Sequence, residues 1–431
     1  MGRLTTTPSA GRGNGVRRVI PLVAALILLL GFAFTARGDH PFPRPHRRLA
    51  IAPAPPPRPC AVDPARRPVP RAPDGQPLDY WHTCGTQIVD RTGREVHIAG
   101  VAWSGMELAG GATQGLDRRD YGAILEDVKA LGYNVVRVPF NSESIQAGSM
   151  PSGINYQANP DLRGLSSLEV LDRIVAECGR LGLKVILDHH RIDPWDVPAL
   201  WYDQSYSQAQ WIADWRRLAE RYSGNDTVVG FDLQNEPYAA TWGDGNPATD
   251  WRLAATLAGN AVLAVNPRLL LFVQGIGKHQ GVDYWYGGEL QDVARAPIHF
   301  AVPGRLVYSP HEYGPSVYPQ GWFYAPDFPS NLPAIWDLHW AFIAERGLAP
   351  VVVGEMGAPQ TGYGVGGTWQ RTLLSFLERR DIGFIAWALN PDSSDTGSVF
   401  EGDWQTVNAA RQALYAPYLS RGTGGELGSG G

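Results

Sequence analysis

The sequence predicts an α/β protein whose one large folded domain, residues 79–420, is a (β/α)8 TIM barrel. Three observations carry this expectation. From Tyr80 onward, short apolar runs of strand length alternate with longer amphipathic stretches. Glycine stands where several of those stretches end. Nearly every apolar run hands over to polar or aromatic residues at its carboxyl end, which in parallel barrels is the face that carries active sites. An open, doubly wound sheet is the alternative, but no Gly-x-Gly-x-x-Gly opens a helix anywhere in the chain.

Taken in order, the strands are expected over 96–103, 134–138, 184–187, 228–233, 269–274, 305–309, 351–354 and 384–389. Helices are expected over 121–131, 167–181, 208–222, 250–265, 334–346, 368–379 and 404–415. Gly132, Gly182 and Gly347 fall where a helix end needs a left-handed residue. The link between the fifth and sixth strands is rich in Gly, Tyr and Trp and shows no clear helix.

Ahead of the barrel, the first 18 residues carry Arg3, Arg12, Arg17 and Arg18 and no acid. An apolar run over 19–30 and the small residues Gly31 and Ala33 follow, the layout of a secretory signal. Residues 1–36 are therefore expected to be a signal peptide or a signal anchor, the run being short for a membrane span. Between His40 and Leu78 lie 13 of the 35 prolines, so residues 37–78 are expected to be an extended, proline-rich linker. Residues 421–431 are glycine-rich without apolar pattern, the composition of a flexible tail. The localisation that follows is secreted, or anchored to the cell envelope through the N-terminal apolar segment if it is not cleaved.

Composition excludes some functions. The net charge of -5 is modest and dispersed, which argues against a nucleic-acid surface. The chain holds 15 Trp and 17 Tyr, enough to fill a large core and also to offer flat faces to sugar rings. Of the three cysteines, Cys178 falls in a helical stretch and is expected to be a buried free thiol, while Cys60 and Cys84 could pair in an oxidising compartment. No cysteine spacing resembles a zinc site, and neither Asp188, His189, His190, Asp193 nor Asp392, Asp395, Asp403 has a recognised ligand spacing, so no metal is expected.

The run Val228-Val229-Gly230-Phe231-Asp232-Leu233-Gln234-Asn235-Glu236-Pro237 anchors the chemistry. An apolar strand stops at a proline, which cannot donate to a ladder, and leaves an amide and a carboxylate at its end. A lone strand-end glutamate is more often simply solvated. A second strand, Val351-Val352-Val353-Gly354-Glu355, also ends in glutamate, and two carboxylates on one rim are what glycosidic hydrolysis requires. Glu236 is expected to donate the proton, its acidity weakened by the charge of Glu355 nearby. Glu355 is expected to be the nucleophile, held ionised by Arg137 with the Tyr313 hydroxyl as a second donor. Asn235, His190 and His311 would bind hydroxyls of the ring under attack. Trp387 would stack beneath that ring, with Trp103 and Trp285 as platforms for neighbouring sugars.

These residues together resemble glycoside hydrolase family 5. The resemblance rests on Arg137-Val138-Pro139, a histidine after strand three, Asn235-Glu236-Pro237, His311-Glu312-Tyr313, Gly354-Glu355 and Trp387. It extends from about Tyr80 to Leu419 through longer pieces such as Trp81-His82-Thr83, Ala199-Leu200-Trp201-Tyr202 and Asn390-Pro391-Asp392-Ser393, and within the family it is to the bacterial secreted endo-β-1,4-glucanases. The resemblance implies retaining double displacement on a β-1,4-linked polysaccharide, without metal or organic cofactor. It implies Glu236 as acid/base, Glu355 as nucleophile, and Arg137, His190, Asn235, His311, Tyr313 and Trp387 as contacts. Of the doubled His189-His190, the later ring is expected to face the cleft. No carbohydrate-binding module is evident, which favours soluble or amorphous glucan, and the enzyme is expected to act as a monomer. The competing readings are the same machinery on mannan or xyloglucan, and a non-catalytic glycan-binding protein of the envelope on the same scaffold.

Overall fold

The computed structural model describes residues 71, 75 and 77–419. An antiparallel hairpin, His82–Cys84 against Gln87–Val89, comes first. Eight parallel strands follow: β1 Ala99–Ala102, β2 Val135–Asn141, β3 Lys184–Arg191, β4 Val228–Asp232, β5 Leu270–Val273, β6 in two pieces at Leu306–Tyr308 and His311–Tyr313, β7 Val352–Gly357 and β8 Gly383–Ala386. Each pairs with its sequence neighbour, and β8 returns to β1 with Phe384 opposite Ala99. Pro310 marks the break in β6. The lower piece pairs with β5 and the upper with β7, and a bridge from Tyr308 to Val351 completes the ring. Above Ser309, whose N–H still reaches the Val273 carbonyl at 2.9 Å, β5 and β6 part company.

Helices α1 Tyr121–Ala130, α2 Ser167–Leu181, α3 Gln208–Arg221 and α4 Trp251–Val265 follow the first four strands. After β5 there is only a two-stranded ribbon, Lys278–His279 with Val282–Asp283, and a 3-10 turn at Gln291–Ala294. After β6, α5 Leu332–Trp336 runs through a π-turn at Asp337–Ala341 into α6 Phe342–Glu345. Helices α7 Val365–Arg380 and α8 Ala409–Leu419 follow β7 and β8.

Local chemistry sets these ends. Ser166 accepts from the Glu169 amide while the Glu169 carboxylate accepts from the Ser166 amide at 2.8 Å, a capping box at the start of α2. Ser207 and Gln210 repeat the arrangement on α3. Gly182 ends α2 at φ 68°, where a side chain would be strained. The last helix starts at Ala409 rather than at 404. Asp403 accepts from the amides of Gln405 and Thr406, which spends the chain's hydrogen bonds on a turn. Asn408 then caps the Arg411 amide at 2.9 Å.

The strands separate two cores. Between sheet and helices lies the larger one, with Trp201, Trp211, Trp215, Trp251, Trp336, Trp340 and Trp369 fully buried. Inside the barrel a smaller apolar plug, including Trp81, Val135, Ile186, Val229, Leu270, Val307, Val352 and Ile385, fills the lower layers. Gly230 fits there because a Cβ would approach the Leu270 carbonyl to 2.8 Å. Two residues on from Val135 and Ile186, on the same inward face, come Arg137 and Asp188, so the interior turns from apolar to charged toward the carboxyl end.

Cys84 is disulfide-bonded and Cys178 is a buried free thiol. Cys60, the partner expected for Cys84, lies outside the described residues, as do the signal or anchor segment, most of the proline-rich linker and the glycine-rich tail. Among the described residues no helix is long and apolar enough to cross a membrane.

Candidate active site

The charged layer is centred on Arg137, which is fully buried and lies inside β2 rather than beyond its end. Its guanidinium donates to Glu355 Oε1 at 2.5 Å, to Asp232 Oδ2 at 2.9 Å and 3.1 Å, and to Asn235 Oδ1 at 3.2 Å, and it pairs with Asp188 Oδ1 at 3.1 Å. One cation thus holds together groups from β2, β3, β4 and β7. The carboxylates raise its pKa against the opposing effect of burial, so it stays charged. Desolvation moves Asp188 up to about 7 and Asp232 up to about 6, with Arg137 opposing both.

Glu355 accepts from Arg137 at one oxygen and from the Tyr313 hydroxyl at the other. Both oxygens are acceptors, the pattern of an ionised carboxylate. His311 Nδ1 stands 2.9 Å from Glu236 Oε1 and 3.5 Å from Glu355 Oε2. An oxygen of Glu236, a ring nitrogen of His311 and an oxygen of Glu355 all lie within 4.8 Å of one another. Retaining glycosidases hold their two carboxyl groups about 5–5.5 Å apart, whereas inverting enzymes need about 6.5–9.5 Å to admit a water. Burial lowers the His311 pKa to about 4, so its ring is neutral at ordinary pH and can bridge the two acids.

Glu236 sits at φ 46°, a left-handed conformation uncommon outside glycine, and its amide donates to Gln274 Oε1 at 2.8 Å. Its side chain is 17% exposed. Desolvation pushes its pKa up to about 8, against the pull of Arg137. The expected weakening of this acid is therefore present, and removal of water is its largest cause.

Of the two adjacent histidines, His190 faces the cleft. Its Nδ1 lies 2.6 Å from Asp188 Oδ2 and its Nε2 is 3.3 Å from Asn235 Nδ2. Its ring stacks on Trp387 with centroids 5.3 Å apart and planes 17° from parallel. With Nδ1–H donating to Asp188, Nε2 is left to accept from Asn235. Burial lowers the His190 pKa to about 3, which keeps it in this neutral form. His189 points the other way, bonded to Ser142 and Gln234 and packed among Phe140, Tyr206 and Trp215.

Two expected platforms do not present a face. Trp103 is 0% exposed, packed in the outer core with its indole N–H on the Gln114 carbonyl at 2.9 Å. Its strand ends at Ala102, so Trp103 continues the packing into the sheet–helix layer. Trp285 is 5% exposed and meets Tyr313 edge-on at 6.0 Å, a wall beside the nucleophile's partner rather than an open surface. Conversely, the chain order alone assigns no role to Asp232 and places Gln274, whose Nε2 donates to Asp232 at 2.9 Å, only at a strand end. The signal is nevertheless there: an aspartate inside Val-Val-Gly-Phe-Asp-Leu is a charge in a buried strand and needs a cation.

Asp188, His190 and Glu355, and likewise Glu236, His311 and Glu355, bring ligand-type atoms close together. A cation there would lie against the fixed charge of Arg137. What the arrangement can do instead is acid–base and nucleophilic chemistry: an acceptor-only carboxylate on Arg137 faces a desolvated carboxylic acid across a neutral imidazole.

A half-buried carboxyl group and a buried carboxylate at this spacing on the carboxyl rim of a (β/α)8 barrel have the arrangement of a retaining glycoside hydrolase. Residues 89–393 match the family model for Cellulase (glycosyl hydrolase family 5), and the chain belongs to that family. It is 44% identical over 340 residues to an endoglucanase of Paenibacillus polymyxa, covering 78% of this chain and 86% of that one. It is 40% identical over 352 residues to the major extracellular endoglucanase of Xanthomonas campestris pv. campestris, covering 79% and 71%. The solved catalytic domain of the major Xanthomonas endoglucanase superposes with a TM-score of 0.75 at 39% identity, covering 79% of this chain and 99% of that one. A hyperthermophilic endocellulase of the archaeon Pyrococcus horikoshii does so with a TM-score of 0.75 at 36% identity, covering 79% and 98%.

Proposed function

We propose that the protein is an endo-acting β-1,4-glucanase that cleaves internal bonds of cellulose or a related β-glucan by retaining double displacement. The observation that carries the stereochemistry is the approach of Glu236 and Glu355 oxygens to within 4.8 Å, with His311 between them. In the first step Glu355 attacks the anomeric carbon while protonated Glu236 delivers its proton to the departing oxygen, so the leaving chain departs neutral. In the second step Glu236, now a base, takes a proton from water, which displaces Glu355 and restores both groups. Arg137 and the Tyr313 hydroxyl hold the nucleophile in place, and Asn235 and His190 are positioned to bind hydroxyls of the reacting sugar.

The names of the Paenibacillus and Xanthomonas relatives support the substrate class, and the word extracellular in the latter supports export of this chain too. Residues 1–36 act in this reading as the export signal, or as a membrane tether if retained, and the barrel works as a monomer. The test is carboxymethyl-cellulose. Endo attack drops its viscosity well before many reducing ends appear. Glu236→Gln should cost about 10²–10⁴-fold in rate, and Glu355→Gln at least as much. Azide should rescue Glu355→Gly with inverted product and Glu236→Gly with retained product. Full activity in Glu355→Gln would sink the assignment.

A further inference from the structure

On the outer side of β6, directly behind His311 and Tyr313, sits a carboxylate that the reaction does not use. Glu312 is 1% exposed. It accepts from the Tyr284 hydroxyl, from Trp336 Nε1 at 3.2 Å and from Trp340 Nε1 at 2.8 Å. Trp336 ends α5 and Trp340 lies in the π-turn after it. Tyr284 belongs to the β5–β6 connection, and its ring stacks on His339 at 3.6 Å and 7°, while His339 Nδ1 meets Glu289 at 2.6 Å. The node therefore ties a strand, a helix and a loop that shares no ladder with the upper half of β6.

That loop reaches the proton donor. Three residues beyond Tyr284, Gly287 lies so close that a Cβ there would stand 3.3 Å from Glu236 Cγ, 3.4 Å from His311 Cγ and 2.7 Å from Gln274 Oε1. We propose that Glu312, by gathering Tyr284, Trp336 and Trp340, is a positioning residue that presses residues 284–287 onto Glu236 and keeps water from its carboxyl group. The inference rests on Glu236 being the acid. It accounts for the dominance of desolvation in the behaviour of that acid although its side chain opens onto the cleft. The other charged or titratable groups facing Glu236 are Arg137 from β2, Asp188 from β3, Asp232 from β4, His311 and Tyr313 from β6, and Glu355 from β7; the Glu312 carboxylate bonds instead to Tyr284, Trp336 and Trp340.

The experiment compares pH profiles of kcat/KM for the full chain and for Glu312→Gln and Tyr284→Phe. The first variant removes the charge of Glu312 and the second leaves it in place while removing the hydroxyl by which it holds Tyr284. If the node positions the loop, both variants move the basic limb to lower pH by about one unit, and the Gly287 and Gly288 amides exchange faster with deuterium. An unmoved limb in folded variants overturns the proposal. So does a shift confined to Glu312→Gln, which would be an effect of charge alone. Tyr284→Phe decides by itself should Glu312→Gln fail to fold. A wild-type basic limb that survives in Glu236→Gln, measured on an aryl glucoside with a good leaving group, would remove the reading of Glu236 itself instead.

Discussion

Glu236 and Glu355 are chemically identical side chains given opposite tasks by their neighbours. One touches two donors, a guanidinium and a phenol; the other is largely desolvated, with its side chain 17% exposed. Because Glu236 must carry its proton to act as an acid, kcat/KM should fall as pH rises through about 8. The linkage to folding has the same direction. A carboxyl group whose folded pKa is raised binds its proton more tightly when folded. Its contribution is most favourable below the ordinary carboxyl range and is lost as pH climbs toward about 8. Glu236→Gln should therefore melt higher than wild type in alkaline buffer while losing activity, which paired thermal scans would check. Trp103 makes the contrasting prediction. As a fully buried ring, its loss in Trp103→Ala should cost about 3–5 kcal/mol of stability, read from denaturant titration. An unchanged denaturation midpoint with weakened substrate binding would restore it as a sugar platform. The same residues mark how far the sequence can be read. The acids and Arg137 are legible because a charge at the end of an apolar strand must meet either a partner or a substrate. The burial of Trp103 is not, because which face a tryptophan turns depends on where its strand ends.

At the scale of elements, the helix ends follow side-chain chemistry that is visible in the chain. Gly132, Gly182 and Gly347 all adopt positive φ, as their places after helical stretches imply. Ser166→Ala should cost about 1 kcal/mol through loss of the α2 cap, and Gly182→Ala about as much through the strain of a left-handed alanine; urea midpoints would show both. The start of α8 departs from expectation because Trp404, Val407 and Leu414 are apolar at helical intervals. The Asp403 turn overrides that periodicity, and Trp404 packs into the core from φ 58°. The π-turn at Asp337–Ala341 has no signature in the sequence; it lies where two indoles from consecutive turns, Trp336 and Trp340, bond to the Glu312 carboxylate.

For the whole molecule, strand count and order can be read from the alternation of apolar runs, but the splitting of β6 cannot, because it depends on what inserts beside it. The boundary near residue 79 has a direct test. Protease should cut within 40–78, a segment rich in proline and arginine, and leave a product that keeps its activity on soluble glucan; loss of activity on cutting would move the boundary upstream. The parting of β5 from upper β6 has a consequence of its own. A closed ring of hydrogen bonds resists widening all the way round. This one is a hoop below Ser309 and a collar with a slit above it, so the mouth can yield at the slit while the floor stays rigid. Any widening of the mouth is therefore expected across that slit, where no ladder opposes it.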